Sequence, residues 1–301
     1  MSFGDRLTDR LARRPAGWLG RKLYRRAIAH QPGFDLALRQ VPLRPEDHVL
    51  DVGCGGGAFL ARVLAAGCRA AGIDHSPDMI ATTREQNAAA IEGGRLDLQE
   101  GDAAALPFAD GAFSHAFCLH AFFFFPDPAK AIAEMARVLR PGGHLTILTM
   151  APDMARRMRW LFGPIGARMR LDAPERMAEW CRAAGLHIQS TIPTRDGGYL
   201  LLARRLPPVG MKIEMLGFSG RILGLVDRFA VIEADIAGDV PAHRAVGEEC
   251  AYVLSGEIAV EVNGIARSMS AGGHVVIPAG ALHSARARSP ARILLFGPSY
   301  D

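Results

Sequence analysis

Three carboxylates and one glycine-rich turn pose the first chemical question. The segment Asp51-Val-Gly53-Cys-Gly55-Gly-Gly57 lets the backbone approach a ligand closely, and a helix starting after it offers unpaired N–H donors. Asp74 lies about 20 residues beyond the first glycine, and Gly101-Asp102-Ala103 follows later. Asp51 sits where a pyrophosphate would repel it and an ammonium would be welcome. Asp74 can accept both hydroxyls of a ribose, and Asp102 can accept from an adenine amino group. Gly53-x-Gly55-x-x-Ala58 with Asp74 also fits a dinucleotide fingerprint. Asp74 and Asp102 also suit helix N-caps.

These residues need strands to end where they stand. From about residue 46 to 150 short β-rich runs alternate with amphipathic helices, the pattern of βαβ units and a parallel sheet. The spacing predicts strands at 48–52, 69–74, 95–100, 114–119 and 144–150, so the carboxylates fall at strand ends, where doubly wound sheets bind ligands. Gly67 closes the first helix, Asp127-Pro128 opens another, and Pro141-Gly142-Gly143 stops it. A helix at 174–185 and strands at 186–192 and 198–204 complete this half. Residues 206–211 are a linker. Beyond them, glycines at 238, 247, 256, 264, 272 and 280 punctuate short alternating runs, as in an antiparallel sandwich or barrel.

Composition narrows the field. The 301 residues are 49% hydrophobic and 22% charged, which excludes wholesale disorder, and no apolar run approaches the ~20 residues of a membrane span. Residues 1–30 hold eight basic side chains against two acidic, an excess of six, in a chain whose net charge is +4. The remainder therefore carries −2, and a nucleic-acid-binding face across the body is not expected. Residues 6–26 have leucines at helical spacing and fit an amphipathic, basic helix within an N-terminal cap of residues 1–45. The five cysteines are scattered without a CxxC pair, as in a reduced, cytoplasmic protein with no signal segment and no stable membrane insertion.

In combination, VLDVGCGGGAFL (49–60), GIDHSPDMI (72–80), GDAAALPFADGAFSHAFCLH (101–120) and ARVLRPGGHLTILTM (136–150) resemble the class I S-adenosylmethionine-dependent methyltransferases. The resemblance covers residues 46–205. It implies an α/β Rossmann-like, seven-stranded sheet with a reversed last strand, and S-adenosylmethionine as cofactor. Asp51, Gly53, Gly55 and Gly57 would hold the methionine moiety, Asp74 and His75 the ribose, and Asp102 and Ala103 the adenine, with Cys118 at the end of the fourth strand a further cofactor-binding residue. His120 would face the transferred methyl. It is the first candidate for a general base, with Tyr24 a second; a structural histidine is the alternative reading of position 120. Phe122–Phe125 either lines an acceptor pocket or packs into the core. The acceptor is a small molecule whose receiving atom the sequence does not specify.

Residues 212–301 resemble the cupins, small all-β double-stranded β-helix barrels. The resemblance rests on His243, Glu249 and Gly256 in one motif and Gly272, Pro278, Gly280 and His283 in a second. It implies a mononuclear metal held by His243, Glu249 and His283, a set that suits Fe(II), Mn(II) or Zn(II). Ala245 replaces the usual second histidine and Ala287 the usual asparagine. The alternatives are a metal-free barrel that binds a small molecule or forms a homodimer, and a second enzyme acting by metal-dependent oxidation or isomerisation. A dehydrogenase is the remaining reading of the glycine turn.

Overall fold

The computed structural model describes residues 28–163, 166–226 and 229–298. The helix expected at 6–26, with Tyr24, lies outside them. The chain divides into two compact units after Arg205.

The first unit runs α1 (Gln31–Gln40), β1 (His48–Val52), α2 (Ala58–Ala65), β2 (Arg69–Asp74), α3 (Pro77–Gln86), α4 (Ala88–Glu92), β3 (Leu96–Glu100), β4 (Phe113–Leu119), α5 (Pro128–Val138), β5 (Leu139–Met150), α6 (Ala155–Phe162), α7 (Pro174–Ala183), β6 (Leu186–Pro193) and β7 (Gly198–Arg205). The sheet order is β3-β2-β1-β4-β5-β7-β6. The first five strands are parallel, and β7 runs antiparallel between β5 and β6, the reversed strand the sequence implies. Every residue of β4 is buried, as expected for a central strand covered on both faces. Two apolar layers cover the sheet: Ile132 and Met135 of α5 with Met177 of α7 on one side, and Phe34, Phe59, Leu60 and Val63 of α1 and α2 on the other. Side-chain caps fix the entries of α3 and α5: Ser76 accepts from the Met79 N–H at 3.4 Å and Asp127 from that of Lys130 at 3.0 Å.

One expectation shifts. Pro141-Gly142-Gly143 does not separate α5 from a strand beginning at 144. β5 begins at Leu139, pairs with Phe113, and rejoins β4 at His144 opposite His115. The intervening residues bulge out of the ladder, with Gly142 at φ 77.

The second unit is a sandwich of two sheets. β8 (Lys212–Met215), β9 (Phe218–Val226), β10 (Phe229–Ile236), β12 (Glu249–Ser255), β15 (His274–Ile277) and β17 (Ala291–Pro298) form a six-stranded sheet. β11 (Asp239–Arg244), β13 (Glu257–Val262), β14 (Ile265–Ser270) and β16 (Leu282–Ala287) form a four-stranded one. Alternation sets its core: Ala251 and Val253 face Ile258 and Val260 in one apolar cluster. Gly256 is required at its turn, since φ is 81 and a Cβ there would collide with the Pro290 carbonyl.

A polar latch closes the edge of the first sheet opposite the glycine turn. Asp47 accepts from the Arg44 N–H at 2.8 Å and from the Ser114 hydroxyl at 2.9 Å; Ser114 accepts in turn from the His48 N–H at 3.1 Å. His115 lies 2.9 Å from the same hydroxyl and stacks on His144 with ring centroids 5.1 Å apart. Burial, ahead of the opposing pull of Asp47, holds the His115 imidazole down to about 4. Below its ordinary 6.5 the unfolded chain binds a proton that the folded protein refuses, so stability is lost as pH falls from 6.5 towards 4. Replacing His115 with Asn is expected to remove up to about 3 kcal/mol of that acid sensitivity. Thermal melts of both proteins across this range check it: equal slopes would show that His115 does not titrate as described.

Candidate functional site

The carboxyl ends of β1, β2, β3 and β4 border a crevice of about 620 Å³. Its floor is the glycine turn, with Gly53 at φ 78 and Gly55 at φ 52. The Gly53 and Cys54 N–H groups donate to the Ile73 carbonyl at 2.8 and 3.1 Å, which ties the turn to β2. A Cβ on Gly53 would collide with Ala121. From α3, the Thr83 hydroxyl donates to the Gly55 carbonyl and the Gln86 amide to the Gly56 carbonyl, both at 2.7 Å. Thr83 and Gln86 escape sequence reasoning because nothing in a helix signals which turn its outer residues will reach.

Asp74 joins three of these elements. One carboxylate oxygen accepts from the Gly55 N–H and the other from the Ser76 N–H, each at 2.9 Å. Asp51 stands beside it, 3% exposed. Burial first, and the negative charge of Asp74 second, push the Asp51 carboxyl up to about 8. Asp51 therefore holds a proton at neutral pH unless a cation replaces it. Asp102 and Glu100 also line the crevice and are exposed to water. Asp102 accepts from the Ala104 N–H at 2.9 Å, closing its own turn, and Ala103 is buried beneath it. Glu100, the last residue of β3, carries no motif that would have singled it out.

His120 follows β4 in a left-handed conformation, φ 61, which costs a non-glycine residue about 1 kcal/mol or more. Its ring stacks on that of His30, centroids 4.3 Å apart and planes 16° from parallel. A Cβ on Gly33 of α1 would lie 2.6 Å from its Nε2. That Nε2 is buried without a hydrogen-bond partner among the described residues. Burial first, and His30 second, bring the imidazole down to about 4, so it is a neutral base at physiological pH. His30 escapes a motif reading because it precedes any recognisable pattern. His75 lines the crevice with Nδ1 3.5 Å from Asp74.

Two of the sequence candidates stand behind the crevice. Cys118 is fully buried in the core and does not line it: strand alternation turns its thiol away. Gly57 is also set back; it precedes α2 at φ 82, where a Cβ would press on Thr83 and Asn87. The phenylalanine run divides, with Phe122 and Phe123 in the core and Phe124 and Phe125 lining the crevice. Phe34, Phe59 and Leu119 extend this apolar wall, and no lysine or arginine is among the described lining residues.

In the sandwich, His243 of β11 pairs with His283 of β16, ring centroids 4.1 Å apart, and His283 Nε2 is 3.7 Å from the Glu249 carboxylate of β12. The sequence thus brings the three together. Among the described residues, however, no group of three His, Cys, Asp or Glu side chains is arranged to hold a metal ion. Ala245, 2% exposed, fills the place of a further donor with a methyl group. With a methyl group there in place of a donor, the set does not fit a resident metal.

Comparison with known proteins gives the context. A family model for a methyltransferase domain matches residues 50–147 and one for a cupin domain matches 231–297. A demethylmenaquinone methyltransferase of Thermus thermophilus is 39% identical over 120 residues, 39% of this chain and 52% of that protein. The chain spans about half the length of curated relatives such as this one. A ubiquinone biosynthesis O-methyltransferase of Xylella fastidiosa is 31% identical over 171 residues, 52% of this chain and 67% of that protein. Among solved structures, a chain of the complex between the Haloferax volcanii Trm112 methyltransferase activator and a methyltransferase superposes with a TM-score of 0.53 at 25% identity, covering 60% of this chain and 92% of that one. The dinucleotide reading of the glycine turn therefore gives way: the chain belongs to the class I S-adenosylmethionine-dependent methyltransferases and carries a cupin domain after its methyltransferase domain.

Proposed function

We propose that this chain transfers a methyl group from S-adenosylmethionine to an oxygen or carbon atom of a small, uncharged acceptor in the cytoplasm. The observation that carries this reading is a buried Asp51 carboxyl beside Asp74, at a turn shaped for close backbone approach, in a crevice whose four acidic residues face no described lysine or arginine. Such a site attracts a cation. Asp51 with Gly53 and Gly55 takes the methionine moiety, Asp74 the ribose and Asp102 with the Ala103 backbone the adenine, with His75 at the ribose edge. Asp74 keeps lone pairs for two hydroxyls, because each of its oxygens is committed to only one N–H. When bound, the sulfonium supplies an activated methyl, so the protein has mainly to align the acceptor.

The acceptor then lies along Phe124, Phe125 and Phe59, with the proton it loses passing to Nε2 of neutral His120. That two relatives are named for demethylmenaquinone and ubiquinone biosynthesis supports a planar, apolar acceptor. The cytoplasmic assignment is supported by five unpaired cysteines. For the cupin domain we propose self-association. The outer face of its larger sheet exposes Tyr252, Val276 and Phe296 on adjacent strands, an apolar patch of the kind that pairs with a copy of itself.

Transfer of an isotope-labelled methyl from S-adenosylmethionine into a metabolite extract tests the activity; absence of any labelled product would end it. Between pH 6 and 8 cofactor binding is expected to tighten as pH rises and to release up to one proton per site, because Asp51 must ionise to meet the ammonium. Calorimetry in buffers of different ionisation enthalpy reads this, and Asp51→Asn should lose the proton release along with much of the affinity. His120→Gln is expected to lower kcat by about a hundredfold or more with cofactor affinity unchanged; an unaltered kcat would remove His120 from the proton's path. Light scattering on Val276→Asp should show a smaller particle than the unsubstituted protein, and equal masses would place any association elsewhere.

A further inference from the structure

The segment after β5 has a surface that chemistry in the crevice does not use. Residues 151–170 hold five arginines against one acidic residue, Asp153. Within them α6 reads Ala-Arg-Arg-Met-Arg-Trp-Leu-Phe. Met154 and Met158, 8% and 4% exposed, are four residues apart and fasten this stretch to the body. Its neighbours on the helix face water: Trp160 is 82% exposed and Leu161 48%, beside exposed Arg156, Arg157 and Arg159. None of these three guanidinium groups has a carboxylate partner among the described residues.

Such a helix is poorly explained as a water-facing surface. A tryptophan this exposed forgoes most of the area that normally makes the residue favourable, and three adjacent cations repel one another unless counter-charged. Both features suit the boundary of an anionic bilayer. There the indole lies at headgroup depth with its N–H still hydrated, leucine reaches the acyl boundary, and arginine stems lie along the apolar surface while their heads meet phosphate. α6 also begins just beyond the carboxyl end of β5, the sheet edge on which the crevice opens.

We propose that α6 is a peripheral membrane contact, with Trp160 and Leu161 seated at the surface of an anionic bilayer and Arg156, Arg157 and Arg159 on its headgroup phosphates. The contact is interfacial and reversible, since an eight-residue helix is far shorter than a span. It places the crevice edge where a lipid-dissolved acceptor is found, yet it stands whether or not the proposed methyl transfer does.

The full chain is sedimented with vesicles of phosphatidylcholine alone and of phosphatidylcholine with phosphatidylglycerol. Binding is expected to the anionic vesicles, with release as salt is raised. At roughly fivefold per arginine near such a surface, the triple variant R156Q/R157Q/R159Q should bind about a hundredfold more weakly, and Trp160→Ala about tenfold more weakly. Brominated acyl chains should quench fluorescence of the unsubstituted protein, and W160F should lose that quenching. All four side chains are exposed, so circular dichroism and melting should be unchanged. No binding by the unsubstituted protein, or variants that bind as it does because the basic residues 1–30 suffice, would overturn the proposal. So would an oligomer that Trp160→Ala dissolves while vesicles leave the protein in solution.

Discussion

Asp51 is withdrawn from water by the same backbone that opens the crevice, and most of the site follows from that. A carboxyl at 3% exposure next to a second carboxylate stays protonated at neutral pH without a compensating charge. The protein does not supply one: among the described residues the crevice has no cationic wall. What it supplies is rigidity. Asp74 is held by two backbone N–H groups, the turn is held by Thr83 and Gln86, and Gly53 admits no side chain against Ala121. The unmet demand for positive charge is thus fixed in place before any ligand arrives, which lets binding proceed without the cost of ordering loops.

Such a demand has a consequence for selectivity. A ligand carrying phosphate in place of an ammonium would meet the Asp74 carboxylate with like charge in a poorly solvated place, a penalty of several kcal/mol, and would leave Asp51 protonated with no cation to ionise it. The same glycine spacing in a dinucleotide site relies on the absence of a carboxylate at the turn. One residue, Asp51, therefore separates two chemistries that the glycines alone leave open.

Much of this was legible in the sequence. Strands at 48–52 and 69–74, the caps at Asp127 and Gly67 and the reversed pair 186–205 all carry short-range signals: alternation, a capping side chain, a glycine stop. The three acidic residues could be placed because strand ends fix their neighbourhood. Residues that reach the site over long separations could not. His30 touches His120 across ninety positions through a helix whose packing is set by Phe34 and Gly33, and no local pattern encodes that distance. Cys118 was misplaced for a related reason: proximity along the strand says nothing of which face a side chain takes unless the alternation is read residue by residue. In the cupin domain the spacing did bring His243, Glu249 and His283 together, but a metal needs donors at bonding geometry, and a methyl at Ala245 cannot be one.

His120 shows how the local and the distant combine. Its left-handed backbone follows β4 directly and turns the ring beneath α1, where Gly33 leaves just enough room. Burial there has two effects that would conflict in a structural residue. It strips Nε2 of water without giving it a partner among the described residues, and it holds the ring neutral by lowering its proton affinity. A histidine kept only for packing would be better served by phenylalanine, which carries no orphaned nitrogen. The same cost is reasonable if an acceptor's hydroxyl, when seated, supplies the missing donor, because the penalty is then relieved only in the complex that reacts.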